Sequence, residues 1–284
     1  MLLKKRVSRS QGGDLAMIIF ILAFTTIMVI PLVYAVSNSL KPQDEFWVFP
    51  PRIIVDHPTL KNYTELFSLM TDTWIPMSRY IYNTVFITVV GTVGHIILSS
   101  MAAYQLSKYK FPGSKGMFKL IRTSLMFSGS VLAIPNYLRM NALGLIDTHL
   151  ALILPQFSST LGLFLMKQFM DQMIPMSLLE SADIDGASEW TKFTKIVMPM
   201  VKPGWLTLMV FSVRDLWQTG ASPYIYDEAL KTFSYALSQI SAGGIARQGV
   251  GAAIQIIMLA VPLLIFIISQ SNIIETMATS GMKD

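Results

Sequence analysis

The stretch ESADIDGASEWTKFTKIVMPMVKP, residues 180–203, is a charged segment set between long apolar runs. Ser177 to Ala187 reads as a short amphipathic helix, with Leu178, Ala182 and Asp185 on nearby turns and Leu179 and Asp183 one turn apart. Ser177 can cap it, and Glu180 three residues on completes a capping box. Pro175 stops the preceding apolar run from continuing into it. Asp185-Gly186-Ala187 is a corner, because glycine takes a positive φ and lets another backbone come close. Ser188 is placed to cap a second helix from Glu189 to about Met198, with Phe193, Ile196 and Val197 on its apolar side. Pro199 and Pro203 then redirect the chain.

The flanking runs place this segment at a membrane. The chain is 284 residues long, 52% hydrophobic and 14% charged, with a mean hydropathy of +0.52. Soluble domains carry about a quarter charged residues. Uncharged runs cover Leu15–Leu40, Tyr80–Ser107, Thr123–Leu138, Thr148–Met166 and Gln248–Ile274. Trp205–Ile225 is a sixth candidate, interrupted by Arg214 and Asp215. The first run is too long for the apolar core of a signal peptide and lacks a small-residue cleavage region. The sequence therefore predicts an all-α integral membrane protein, residues 1–284 forming one transmembrane domain, with six transmembrane helices at about 15–38, 80–106, 119–138, 148–167, 204–225 and 250–271. Gly91 and Gly94 would admit a close neighbouring helix, and Pro155 with Gly162 predicts a kinked span.

Between the spans, residues 41–79 form a polar connection in which Pro50, Pro51 and Pro58 oppose one long helix, and residues 220–251 read as irregular. Lysines and arginines sit beside the apolar runs, at Lys4, Lys5, Arg6 and Arg9 and again from Lys108 to Arg122. Fourteen fall on the side of the N-terminus and eight on the other, which predicts both termini and residues 177–203 in the cytoplasm. This pattern suits membrane orientation, not nucleic-acid binding. Cysteine is absent, and His57, His95 and His149 lack metal-ligand spacing. No clustered nucleophile and base, or set of carboxylates, suggests a membrane enzyme.

Two readings of residues 177–203 follow from the residues alone. An interfacial anchor is one. Docking to a soluble cytoplasmic protein is the other, favoured by acids at 180, 183, 185 and 189, which are unwelcome near anionic lipid, and by the small residues Ala182, Gly186 and Ala187.

The pattern Glu180-x-Ala182-x-x-Asp185-Gly186-Ala187, followed by Phe193, Ile196, Pro199 and Pro203, resembles the EAA loop of type I ABC importer permeases. Leu143-Gly-Leu-Ile-Asp-Thr148, Leu152-Ile-Leu-Pro155 and Phe164-Leu-Met-Lys-Gln-Phe169 extend the likeness over nearly the full length. The chain is similar to the MalG-like permeases of the maltose-transporter family, which take up carbohydrate with a binding protein. The resemblance implies the type I permease fold in a bacterial cytoplasmic membrane. It implies a coupling helix in which Glu180, Ala182, Asp185, Gly186 and Ala187 contact a cytoplasmic ATPase. It also implies four kinds of partner: a second homologous permease, two ATPase subunits, an extracellular or periplasmic solute-binding protein and membrane lipid. No GxxxxGK[ST] loop occurs, so ATP and Mg would be bound by the partner ATPase subunits, with no cofactor and no catalytic residue here. Ser181 stands where relatives carry alanine, and the tail Glu275–Asp284 lacks their glycine-rich ending. An oligosaccharide is the expected cargo; an acidic sugar would point to Arg139 or Arg214. A permease for another solute and a secondary transporter are the alternatives.

Candidate translocation-path residues are His95, Arg214, Asp215, Trp217 and Gln218. Ionisable groups inside a span are costly and invite a functional reading. Trp217 and Gln218 supply an aromatic face and an amide, the groups a sugar would use. Equally, His95 can satisfy a hydrogen bond within the bundle, and Arg214 and Asp215 can pair with other helices.

Overall fold

The computed structural model describes residues 11–71, 75–127, 129–244 and 247–280. Lys4, Lys5, Arg6, Arg9, Trp74 and the closing Gly281–Asp284 lie outside the described residues. The α-helices are α1 (Gln11–Ser39), α2 (Lys61–Thr71), α3 (Met77–Lys108), α4 (Ser114–Ser124), α5 (Gly129–Ala142), α6 (Leu150–Phe157), α7 (Thr160–Met173), α8 (Met176–Ile184), α9 (Glu189–Thr191), α10 (Met198–Met200), α11 (Lys202–Trp217), α12 (Phe233–Ser241) and α13 (Gln248–Ser280). Among the described residues, four stretches are long and apolar enough to cross a membrane: Gly12–Ser39, Met77–Lys108, Leu150–Met173 and Gln248–Ser271. Two bent pairs raise the number to six if each is one span. The fold is thus an all-α, multi-span membrane fold with four to six candidate crossings.

The contacts form two compact units, residues 1–72 with 240–257 and residues 73–239 with 258–284. In the first unit, α1 exposes apolar side chains on every side from Leu15 to Val36. A helix apolar all round belongs in lipid or against another chain. It ends in a polar knot, where Asn62 Nδ2 donates to the carbonyls of Ser39 (2.9 Å) and Lys41 (2.8 Å). Those are carbonyls that a helix C-terminus leaves without partners. Tyr63 donates its hydroxyl to Ser39 Oγ (2.9 Å) and closes the knot. A 3-10 turn, Gln43–Trp47, precedes the prolines, which keep residues 41–60 out of one long helix as the sequence predicts.

In the second unit α3 is the axis, packed by α6, α7 and α11. Gly91 and Gly94 make the approach possible: a Cβ on Gly91 would overlap Leu216, and one on Gly94 would overlap Phe157. At one end of α3, Ala103, Tyr104, Met166, Met170, Leu179, Phe193 and Val197 form a buried core. The loop after α11 is pinned to the other end, where Asn83 Nδ2 donates to the carbonyls of Ala229 (2.8 Å) and Lys231 (2.9 Å).

Several expectations are corrected. The span expected at 119–138 is two helices, α4 and α5, bent by 112°. Pro135 lies inside α5, and the chain turns at Leu125–Phe127, where Ser124 Oγ folds back on Ile121 O (2.7 Å). Within 148–167 the helix is interrupted at Ser158–Ser159, between α6 and α7, and not at Pro155 or Gly162. The span expected at 204–225 stops at Trp217, because Gly220 and Pro223 cannot extend it. The stretch expected to be irregular from 220 to 251 contains α12.

Candidate functional site

Pro175, not Ser177, occupies the N-cap of α8, and no side chain caps it. The expected Ser177–Glu180 capping box is therefore not formed: the N-cap lies two residues earlier than expected, and Ser177 O accepts from Ser181 Oγ (2.9 Å). The other end is built as the sequence predicts. Gly186 sits at φ +75°. Its N–H donates to Asp183 O (3.0 Å), and the Ala187 N–H donates to Ala182 O (2.9 Å). This pair of bonds closes a Schellman turn, which needs a left-handed residue at its corner. Ser188 then accepts from the Thr191 N–H (3.3 Å) and starts α9. The helix runs on through a π segment, Lys192–Val197, into α10, and Glu189–Met200 meets α11 at a 76° bend.

Lys192 holds this corner together. Its side chain is 2% exposed, while its two partners, Asp183 and Glu189, are 57% and 58% exposed. Nζ donates to Asp183 Oδ1 (2.5 Å) and Glu189 Oε1 (2.6 Å), so one ammonium ties the end of α8 to the start of α9. The other carboxylate oxygen of Glu189 accepts from the hydroxyls of Tyr104 and Tyr109, at and just beyond the end of α3. The hydrogen bond to Asp183, then that to Glu189, raises the Lys192 pKa above the ordinary lysine value. Lys192 and Tyr109, as donors, hold the Glu189 carboxyl below the usual range. Burial, then the Glu189 bond, pushes the Tyr109 hydroxyl up. Phe193 packs on Tyr104 with ring centroids 5.6 Å apart, adding an apolar layer beneath.

Of the residues expected to dock, Glu180, Asp185 and Gly186 are exposed and Ala187 is half-buried. Ala182 is 7% exposed and faces inward, where its carbonyl closes the turn. Two apolar residues the sequence reading passed over stand out instead: Ile184 at 87% exposure and Trp190 at 63%. The signal was available for Ile184. It lies two positions, or about 200°, around the helix from inward-facing Ala182. The outer surface of the corner is thus a bulky apolar residue flanked by Glu180 and Asp185, while Lys192 occupies Asp183 and Glu189.

The five expected path residues do not form one cluster. His95 is 2% exposed, with Nδ1 2.6 Å from Ser212 Oγ and 3.2 Å from Gln156 Nε2. Gln156 Nε2 also donates to Ser212 Oγ (2.9 Å). Both groups converge on Nδ1, which accepts from them when the imidazole proton sits on Nε2, and Nε2 itself has no hydrogen-bond partner among the described residues. Gly162 leaves room for that edge of the ring. His95 therefore joins α3, α6 and α11 through a bundle hydrogen bond. Arg214 and Asp215 are exposed in the last turn of α11, at its end and not its middle. Trp217 is buried against Phe233, with ring centroids 6.3 Å apart, and Gln218 is exposed just past the helix.

A family model described as the binding-protein-dependent transport system inner membrane component matches residues 95–277. The chain is 34% identical over 235 residues to protein LplC of Bacillus subtilis (strain 168), covering 80% of this chain and 75% of that one. It is 34% identical over 234 residues to the polygalacturonan/rhamnogalacturonan transport system permease protein YtcP of the same organism, covering 81% and 78%. With the diacetylchitobiose uptake system permease protein NgcG of Streptomyces coelicolor it shares 27% identity over 199 residues, 69% of this chain and 64% of that one. Its fold matches a chain in the crystal structure of a bacterial ABC transporter involved in the import of the acidic polysaccharide alginate, with a TM-score of 0.74, 20% identity and coverage of 94% and 99%.

Proposed function

The chain belongs to the family of binding-protein-dependent transport system inner membrane components, and on that premise we propose that it is one of two permease subunits of an ATP-driven importer for an oligosaccharide. The whole chain acts as one permease domain, with six crossings and both termini in the cytoplasm. Residues 176–203 are the coupling element. Its exposed corner, Glu180, Ile184, Asp185 and Gly186, enters a basic-edged groove on a cytoplasmic ATPase subunit. The observation that carries this reading is the locked corner: a buried ammonium, a Schellman turn and the two tyrosines at the end of α3 hold an apolar, acid-flanked tip rigidly outward. Rigidity matters because a coupling element transmits displacement. With Glu189 bonded to Tyr104 and Tyr109, a push on the corner reaches α3, the axis of its unit.

Transport is alternating access. ATP binding and hydrolysis in the partner subunits shift the balance between two membrane conformations, and no covalent step occurs on this chain. A solute-binding protein delivers the sugar from outside, and the second permease completes the path. The sugar class is supported by relatives named for polygalacturonan/rhamnogalacturonan and diacetylchitobiose transport. The test is co-expression with candidate partner permease and ATPase subunits, followed by affinity purification through this chain. Wild type should bring down the ATPase, and the charge reversal Glu180→Lys with Asp185→Lys should release it while retaining the second permease. Equal recovery of ATPase with both would overturn the docking assignment.

A further inference from the structure

Within the unit formed by residues 1–72 and 240–257, an open cavity of about 630 Å³ lies between the C-terminal end of α1, the 3-10 turn and the start of α13. Its walls include two aromatic rings, Tyr34 and Phe46, three amides, Asn38, Gln248 and Gln255, and one cation, Arg247. No carboxylate lines it among the described residues. Arg247 is half-buried, and Nη1 donates to Ile240 O (3.2 Å). Its stem crosses Gly243 so closely that a Cβ there would overlap it. A guanidinium carries five N–H donors, so that one bond fixes its position and leaves donors to spare.

A second cation stands behind the wall. Lys41 is 3% exposed, and Nζ donates to Asn38 Oδ1 (3.1 Å) and Arg52 O (2.9 Å), both neutral acceptors. No carboxylate pairs with it among the described residues. It lies 5.5 Å from the Phe46 ring centroid and 5.9 Å from that of Tyr34. The nearby acid Glu45 is already engaged, accepting from the backbone N–H groups of Asp56 and His57. The cavity therefore presents the spare N–H donors of Arg247 beside two aromatic faces and the amides of Gln248 and Gln255.

We propose that this cavity is a subsite for an acidic sugar, with Arg247 receiving the carboxylate of a uronate residue while Tyr34 or Phe46 stacks on the ring. The inference rests on the reading of the chain as a sugar permease and deepens it. Under that reading α1 ends and α13 begins on the outer side, so the cavity lies where the cargo arrives. An anionic lipid headgroup offers the same charge, and the lipid arm of the experiment separates the two. A charge-assisted bidentate contact is the strong kind, and its loss costs about tenfold or more in affinity.

The experiment uses the complete transporter with its binding protein in phosphatidylcholine liposomes. Uptake of trigalacturonate is compared with uptake of its neutral methyl ester, for wild type, Arg247→Gln, Arg247→Lys and Phe46→Leu. The proposal predicts that Arg247→Gln raises the KM for trigalacturonate at least about tenfold and leaves the methyl ester unchanged. Arg247→Lys should restore part of the loss, and Phe46→Leu should weaken both sugars. Adding phosphatidylglycerol should leave the difference intact. Overturning results are equal uptake of both sugars by Arg247→Gln, a loss shared by both, or a difference that appears only with the anionic lipid. Wild type that hydrolyses ATP with its binding protein but carries neither sugar would overturn the subsite and leave the permease reading standing. A chain that recruits no ATPase would remove the permease reading, and this one with it.

Discussion

The ammonium of Lys192 lies 2.5 Å from the carboxylate of Asp183, across a glycine corner that turns the chain out of α8. The lysine is buried and the aspartate exposed, so the pair fastens a surface corner to the interior. Lys192→Met should cost about 1–2 kcal/mol, because the methionine fills the same space and both carboxylates return to water. A double-mutant cycle with Glu189→Gln, followed by thermal unfolding in detergent, should show that the two substitutions are not additive. Additive losses would mean that the three groups do not act as one network.

The same network sets a pH window. The folded-state pKa of Glu189 is lowered, so its contribution is present above the ordinary value of 4.5 and is lost as pH falls through the depressed one. That of Lys192 is raised, so its contribution is complete below 10.5 and is lost as pH rises through the elevated one. Thermal stability of the complex should therefore lack a contribution from this corner to its pH dependence between those limits. Glu189→Gln should flatten part of the acid limb, and an unchanged acid limb would count against the assignment.

Gly186 has open space where a Cβ would stand, so its requirement is conformational. Gly186→Ala should lower stability by about 1–2 kcal/mol through left-handed strain, and Gly186→Asn by less, since asparagine tolerates that region. If alanine and asparagine behave alike in thermal melts, the turn is not what the glycine is for.

Gly162 has the opposite requirement. Its backbone conformation is ordinary, but an added Cβ would overlap His95 Nε2. Gly162→Ala should cost about 1–3 kcal/mol through overpacking, whereas Gly116→Ala, on α4 with nothing near it, should be neutral or slightly stabilising. Comparable melting temperatures for the two variants would contradict the close contact of α7 with α3.

Local chemistry made some of this legible in the sequence. Gly186 as the corner, Ser188 as a cap, and Gly91 with Gly94 as contact points all follow from backbone freedom and spacing. The end of α11 was harder to read. Thr219, Tyr224 and Ile225 suit an apolar run, and that pattern masked the stop that Gly220 and Pro223 impose. Lys192 carries no signal of its own in the sequence, because its partner Glu189 is tied to Tyr104 and Tyr109, some eighty residues earlier, only by the fold. Likewise, Arg247 shares a cavity with Tyr34 and Phe46 only through the fold, across about two hundred residues. The Ser177–Glu180 box failed because Pro175 already set the helix start.

The most direct test of the coupling assignment is ATP hydrolysis by the reconstituted complex, with and without sugar-loaded binding protein, for wild type and Ile184→Asp. Ile184 is almost wholly exposed here, and burying it in an interface is worth about 1.5–3 kcal/mol. Wild type should be stimulated by the loaded binding protein. Ile184→Asp should reach the membrane, retain the second permease and lose both ATPase recruitment and stimulation. Full stimulation of the Ile184→Asp complex would contradict the claim that this corner couples the membrane helices to the ATPase.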